Sequence, residues 1–181
     1  MSLQLVTPPA LEPVTLAEAK AHLKVDTPDD DALIANLIVA ARARAEWHTG
    51  RALIAQSWIL WCDTWRETIE IPLPPLVGVT SVTAYARDGS AAALTPVTVD
   101  TASQPGRVVL DCVPPASLRC TNALAVAFDA GYGDTAEDVP AALRQAILAI
   151  VAELYVHRGD GPEELSGPAQ ALLAPYRIFK L

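Results

Sequence analysis

Aromatic side chains are scarce: Phe, Trp and Tyr make up only 6% of the 181 residues, although hydrophobic residues reach 51%. The apolar content is largely alanine, which suits close helix packing better than a large aromatic pocket. No stretch approaches the ~20 consecutive apolar residues of a bilayer-spanning helix, so no membrane role is expected. The N-terminus lacks a basic-then-apolar export pattern, and a soluble, non-exported chain is expected. With a mean hydropathy of +0.27, such a chain is expected to bury part of its surface against other subunits.

Basic residues are few as well. Thirteen Lys and Arg stand against 21 Asp and Glu, a net charge of −8. Duplex binding draws on clustered cations that displace counterions from phosphates. Here Arg42, Arg44, Arg51, Arg107 and Arg144 are scattered, so direct DNA binding is not expected. An acidic surface could still sit beside DNA that passes without sticking. Cys62, Cys112 and Cys120 contain no C-x-x-C pair and leave an odd thiol. They are read as small buried hydrophobes of a reducing compartment.

Motifs for chemistry are missing too. His22, His48 and His157 form neither H-x-x-x-H nor H-E-x-x-H, the spacings that hold zinc on one helix face. Each is read as lying near a helix end, where the dipole favours a cation. The run Asp29, Asp30, Asp31 lacks the alternating oxygen ligands of a calcium loop and is read as helix capping. Gly131-Tyr132-Gly133 is followed by no Lys-Ser/Thr and reads as a strand-to-helix turn. No G-x-S-x-G elbow is present. Arg158-Gly159-Asp160 is read as part of a helix-terminating stretch. No catalytic residue, cofactor site or metal ligand is therefore assigned. Most of Trp47, Trp58, Trp61 and Trp65 are read as packing that fixes the insertion to the helices.

What is there is periodicity. Thr15-Leu16-Ala17-Glu18 fits a capping box, opening a short helix to about Leu23. A long helix is expected over 30–48, with Leu33, Ile34, Leu37, Ile38, Ala41 and Ala45 as one apolar stripe and Gly50 as its stop. From Gln56 the period becomes two. Strands are expected over 56–62, 68–71, 81–85, 97–100, 107–110 and 124–128, with Asp88-Gly89 as a hairpin turn. A second long helix is expected over 138–157, burying Leu143, Ile147, Ile150, Val151 and Leu154, with Pro140 in its first turn. A short helix is expected over 169–173. Residues 1–14, with Pro8, Pro9 and Pro13, read as an extended arm.

The fold expected is α+β: a mainly helical core of about four helices with an antiparallel β insertion between the second and third. The organisation expected is 1–55 as the N-terminal helical half, 56–130 as the insertion and 131–181 as the C-terminal half and tail. Tyr176, Arg177, Ile178, Phe179, Lys180 and Leu181 follow the last proline. Their mix of aromatic, aliphatic and basic groups resembles an interface anchor, with folding back on the own chain as the alternative.

The series Val14-Thr15-Leu16-Ala17-Glu18-Ala19-Lys20-Ala21-His22-Leu23, Asp31-Ala32-Leu33-Ile34, Ala40-Ala41-Arg42, Thr49-Gly50-Arg51-Ala52-Leu53 and Gln56-Ser57-Trp58 resembles the head–tail connector (adaptor) family of long-tailed phages. The likeness is to the branch with a β-rich insertion, also found in gene transfer agent particles. Ile71-Pro72-Leu73-Pro74-Pro75-Leu76, Val139-Pro140, Arg144-Gln145-Ala146-Ile147 and Tyr155-Val156-His157-Arg158 continue it. The stretch 111–120, with Pro114-Pro115, departs from the pattern.

The resemblance implies a homo-oligomeric ring, commonly a dodecamer, beneath the portal protein at the capsid–tail junction. A stopper or tail-completion protein lies on the other face, and DNA passes through the lumen without specific binding. The free chain is compatible with a monomer that assembles on the portal. The family's C-terminal segment, which contacts the portal or an adjacent subunit, corresponds to Tyr176 through Leu181 here. No catalytic residues are implied. Synthesis in the bacterial cytoplasm is expected. A regulatory or peptide-binding module is the alternative function, and a small enzyme is a weaker one.

Overall fold

The computed structural model describes residues 1–95, 97–113, 115, 117–157 and 165–178. Eight strands and four α-helices follow one another among them: β1 (Ser2–Thr7), α1 (Leu16–Leu23), α2 (Asp31–Thr49), β2 (Gln56–Cys62), β3 (Thr68–Ile71), β4 (Leu76–Tyr85), β5 (Ala91–Ala93), β6 (Val97–Asp100), β7 (Gly106–Leu110), β8 (Leu124–Ala130), α3 (Ala141–His157) and α4 (Gly167–Leu173). This is the α+β fold expected, with the strands β2 to β8 between α2 and α3. The chain divides into two compact units, Met1–Ala10 with Ala55–Tyr132, and Leu11–Ile54 with Gly133–Leu181.

The β unit contains a five-stranded antiparallel sheet in the order β1-β2-β8-β4-β5 and a three-stranded one in the order β3-β7-β6. Strand β8 is central. Period-two alternation places Leu124, Val126 and Phe128 opposite Cys62, Leu60 and Trp58 of β2. Leu60, Cys62, Val82, Ala84, Leu124, Val126 and Phe128 are all buried, making one apolar row across three strands. Each fully buried large side chain contributes about 1.5–3 kcal/mol.

In the small sheet, Ile69 pairs with Val108 and Ile71 with Gly106. Gly106 permits close approach, since a Cβ there would lie 2.8 Å from Leu76 Cβ. The Asp88-Gly89 turn closes the β4–β5 hairpin as expected: Gly89 has φ 87, and the Asp88 carboxylate accepts the Ser90 amide at 2.9 Å.

Strand assignments exceed the sequence reading chiefly at β5, which was not among the expected strands, at β4 and at β1. β4 begins at Leu76, five residues before the expected start, and its pairing with β8 shifts register at Leu76/Gly78 and Val79/Ser81. Those irregularities break the alternation that a sequence pattern depends on. The first residues of the N-terminal arm form β1, antiparallel to β2 from Ser2↔Trp61 to Thr7↔Ser57. All six β1 residues are exposed.

In the helical unit, Thr15 and Glu18 form the expected capping box at α1, an arrangement worth about 1 kcal/mol. α2 buries Ile34, Ile38, Ala41, Ala45 and Thr49. Ala41 and Ala45 have no exposed surface, so neighbouring elements approach the helix closely. The expected stripe is corrected in part: Leu33 is 37% exposed and Leu37 half-buried. α3 buries Leu143, Ala146, Ile147, Ile150 and Val151, while Leu154 is half-buried.

The start of α3 also differs. A 3-10 turn, Ala136–Asp138, comes first, closed by a capping box between Thr135 and Asp138, and α3 begins after Pro140. Asp30, the residue before α2, makes no side-chain capping bond. It accepts the Tyr155 hydroxyl of α3, while Asp31 pairs with Lys20. The acidic run therefore ties helices together through side chains and does not close the α2 N-terminus in the way expected.

Candidate functional site

The C-terminal segment is the first candidate. After α4 a 3-10 turn, Ala174–Tyr176, brings the chain to the end of α2. The Arg51 guanidinium donates to the Tyr176 carbonyl at 2.6 Å, and the Ile178 amide donates to the Thr49 carbonyl at 3.0 Å. Gly50 ends α2 with φ 71, and a Cβ there would sit 3.8 Å from Ile178 Cβ. Up to Ile178 the segment is thus joined to its own α2 terminus, and the Arg177 side chain is exposed. Phe179, Lys180 and Leu181 lie outside the described residues, as do Arg158, Gly159 and Asp160.

Positive charge gathers at this end of α2. His48 has its pKa lowered, first by burial and then by the charges of Arg177 and Arg44. The favourable helix-dipole effect expected for a histidine here is outweighed by burial and then by the two guanidinium neighbours.

Arg42 organises the middle of the helical unit. Its guanidinium bonds Glu12 and Glu46, each at 2.7 Å. Burial acts to lower the Arg42 pKa, and the two carboxylates more than compensate, raising it. Glu46 also accepts the Leu53 amide at 2.9 Å. One network therefore joins the segment before α1, the body of α2 and the chain leaving α2. Glu18 bonds Arg144 of α3, and its pKa is lowered chiefly by the Thr15 backbone amide. Sequence reading saw Arg42 and Arg144 only as scattered cations. Glu12 and Glu18 lie 30 and 126 residues from them, beyond any local pattern, whereas Glu46 is four residues from Arg42 on the same helix.

Other groups lie differently from expectation. Trp47 is 84% exposed and is not packing between elements. Trp61 belongs to a surface cluster of the β unit, 5.8 Å from the Tyr85 ring, with the Arg119 guanidinium 4.2 Å over Tyr85. Cys62 is buried as read, whereas Cys112 is half-buried and Cys120 exposed. All three thiols are free.

A recess of about 540 Å³ in the helical unit is lined by Leu11, Val14, Leu16 and Ile38, with Glu12 and Glu137 among its polar groups. What it offers is apolar contact. Among the described residues no group of His, Cys, Asp and Glu is placed to hold a metal ion, and no helix is long and apolar enough to cross a membrane.

The class defined is an α+β protein with a helical unit split in sequence by a β unit, whose distinctive side chains are surface apolar groups and inter-helix charge pairs. The sequence over residues 13–92 matches the family described as phage gp6-like head-tail connector protein, a span holding α1, α2 and β2 to β4 and ending within β5. The likeness to the head–tail connector family is thereby shown. No curated protein sequence matches the chain.

Among solved structures, a chain in the neck of an empty gene transfer agent particle, computed with C6 symmetry, has a TM-score of 0.84 and 24% identity, covering 100% of this chain and 97% of that one. A chain in the virion of a native gene transfer agent particle has a TM-score of 0.83 and 23% identity with the same coverage. A chain in the neck of a native particle, computed with C12 symmetry, has a TM-score of 0.80 and 26% identity, again covering 100% and 97%.

Proposed function

We propose that this protein is a structural head–tail connector of a tailed phage or gene transfer agent particle. It joins capsid to tail and leaves a channel for DNA. The observation that carries the reading is the fold match over the whole chain to neck components of gene transfer agent particles, together with the family match over 13–92. Cyclic symmetry in those neck structures supports a ring, with twelve copies as the working number. The ring sits beneath the portal protein and receives a stopper or tail-completion protein on its other face. The polypeptide is made in the bacterial cytoplasm and resides in the particle at the capsid–tail junction.

The role is mechanical and requires no turnover of a substrate. Repetition around a ring converts a weak subunit contact into avidity for a symmetric platform. The net charge of −8 disfavours adhesion of passing DNA by like-charge repulsion. Tyr176 through Leu181 are assigned to contact with the portal or an adjacent subunit. The backbone bonds at Tyr176 and Ile178 hold the described part of this segment at the end of α2.

The test is removal of the polypeptide from particle-producing cells, followed by electron microscopy. Filled or empty capsids without tails are expected. Particles that lack the polypeptide and still carry tails would overturn the reading. Deleting only 179–181 keeps the Arg51–Tyr176 and Ile178–Thr49 bonds. The truncated chain is expected to fold with an unchanged melting temperature and to fail in joining; normal joining would remove the tail from the mechanism.

A further inference from the structure

The long helix α2 has two apolar faces, and its own fold covers one of them. Ile34, Ile38, Ala41, Ala45 and Thr49 face the core. On the opposite side, at helical spacing, lie Leu33, Asn36, Val39, Ala40, Ala43 and Trp47, all exposed. None is charged. Val39 is 45% exposed and Trp47 84%. A helix apolar all round is normally buried all round, and a bare tryptophan is among the commonest interface anchors.

The same unit carries a second uncharged face. Along α3, Ala141, Gln145 and Val156 are exposed, with Ala149 and Ala152 half-buried between them. Val156 is 72% exposed. This stripe points away from the buried residues Leu143, Ile147 and Ile150. Its small side chains leave shallow ground on which a protruding indole could rest. Closed rings are built by head-to-tail contacts, which need two different faces on each copy. A two-fold dimer would need one self-complementary face.

We propose that the outer face of α2, led by Trp47 and Val39, docks on the outer face of α3, around Ala149, Ala152 and Val156, of a second copy of this chain. The proposal rests on the connector reading and assigns the surfaces through which copies join. The occupant is a second copy because the similar chains occur in necks with C6 and C12 symmetry. It is also favoured because one unit carries both uncharged stripes, and neither meets a compensating charge on the other.

The test places a photo-cross-linker in assembled particles through Trp47→p-benzoylphenylalanine. The expected result is a product at twice the chain mass, with peptides from residues 141–157 of the second copy at the linked site. Linkage to any other protein, or no linkage in particles that contain the chain, would overturn the proposal. Absence of the chain from purified particles would instead bring down the connector reading itself. In parallel, Trp47→Ala and Val156→Asp are expected to leave the melting temperature of the free chain unchanged, because both sites are exposed. Each should lower the chain's occupancy in particles at least about tenfold, as loss of an interface anchor does. Occupancy at the unmodified level in both variants would overturn the proposed contact.

Discussion

The two units of this protein cohere by different means. In the β unit, cohesion runs through backbone ladders and one central strand: β8 is paired on both sides and buries five of the seven residues Leu124–Ala130. Among the described residues its charge pairs lie at turns and strand ends, Arg107 with Asp100 locally and the N-terminal ammonium with Asp63 beside the paired ends of β1 and β2. Asp100, for example, is held by Ser103 and Arg107, with its carboxyl kept well below the ordinary range first by the Ser103 hydroxyl. In the helical unit, side chains tie together stretches far apart in sequence, as Glu12 with Arg42, Glu18 with Arg144 and Asp30 with Tyr155. A sheet specifies its neighbours through the backbone. Helices must do so through side chains, and a layer interrupted by the whole β insertion needs such ties most.

Breaking the central strand should have the largest effect. Phe128 is 1% exposed and stands opposite both Trp58 and Val79. Phe128→Ala is expected to destabilise the fold by about 3–5 kcal/mol, from lost transfer free energy plus the cavity left behind. Urea unfolding followed by tryptophan fluorescence reads this out, because Trp58, Trp61 and Trp65 all report from the β unit. A loss below about 1 kcal/mol would mean that the backbone ladder alone carries the sheet, against the usual cost of an unfilled core.

What could be read in the sequence follows the same division. Local rules located the Thr15–Glu18 capping box, the α2 stop at Gly50 and the Asp88-Gly89 hairpin, because each rests on residues within one turn. The overall order of helix, strand block and helix was legible from the change of period at Gln56. The pairing of β1 with β2 was not, because its partners lie fifty or more residues apart. The full length of β4 was hidden by its register shifts. At the candidate surfaces, the unusual C-terminal residues were visible as a cluster of aromatic and basic groups. Their attachment to Thr49 and Arg51 was not, nor was the exposure of Trp47, because composition does not reveal which face of a helix lacks a partner.

The intermediate effect belongs to the helical ties. Arg42 has a side chain 12% exposed, between Glu12 at 26% and Glu46 at 16%. Arg42→Ala leaves two partly buried carboxylates facing each other without their cation. Breaking a fully buried pair costs 3–5 kcal/mol, and partial solvent access should reduce this to about 2 kcal/mol. Circular dichroism at the helical band during urea unfolding is the measurement. Equal loss in the fluorescence and helical signals would show that the two units unfold as one; a loss confined to the helical signal would sharpen the division between them.

The smallest expected effect tests where the C-terminal segment lies. His48 is depressed by burial, then by Arg177 and Arg44, so its folded pKa lies below the ordinary 6.5 of the unfolded chain. A depressed histidine makes the folded state bind its proton less readily than the unfolded state. Its neutral form therefore supports stability above the unfolded pKa, and that support is lost as pH falls through the folded value. Arg177→Ala removes one of the two charges while leaving burial and Arg44 in place. The His48 pKa should rise toward 6.5 without reaching it, and the acid-side loss of stability should shrink. An NMR titration of the His48 ring protons, compared with His22 and His157 in the same spectra, isolates this response. A His48 pKa unmoved by Arg177→Ala would place the guanidinium away from the end of α2 in solution, and with it the described part of the C-terminal segment.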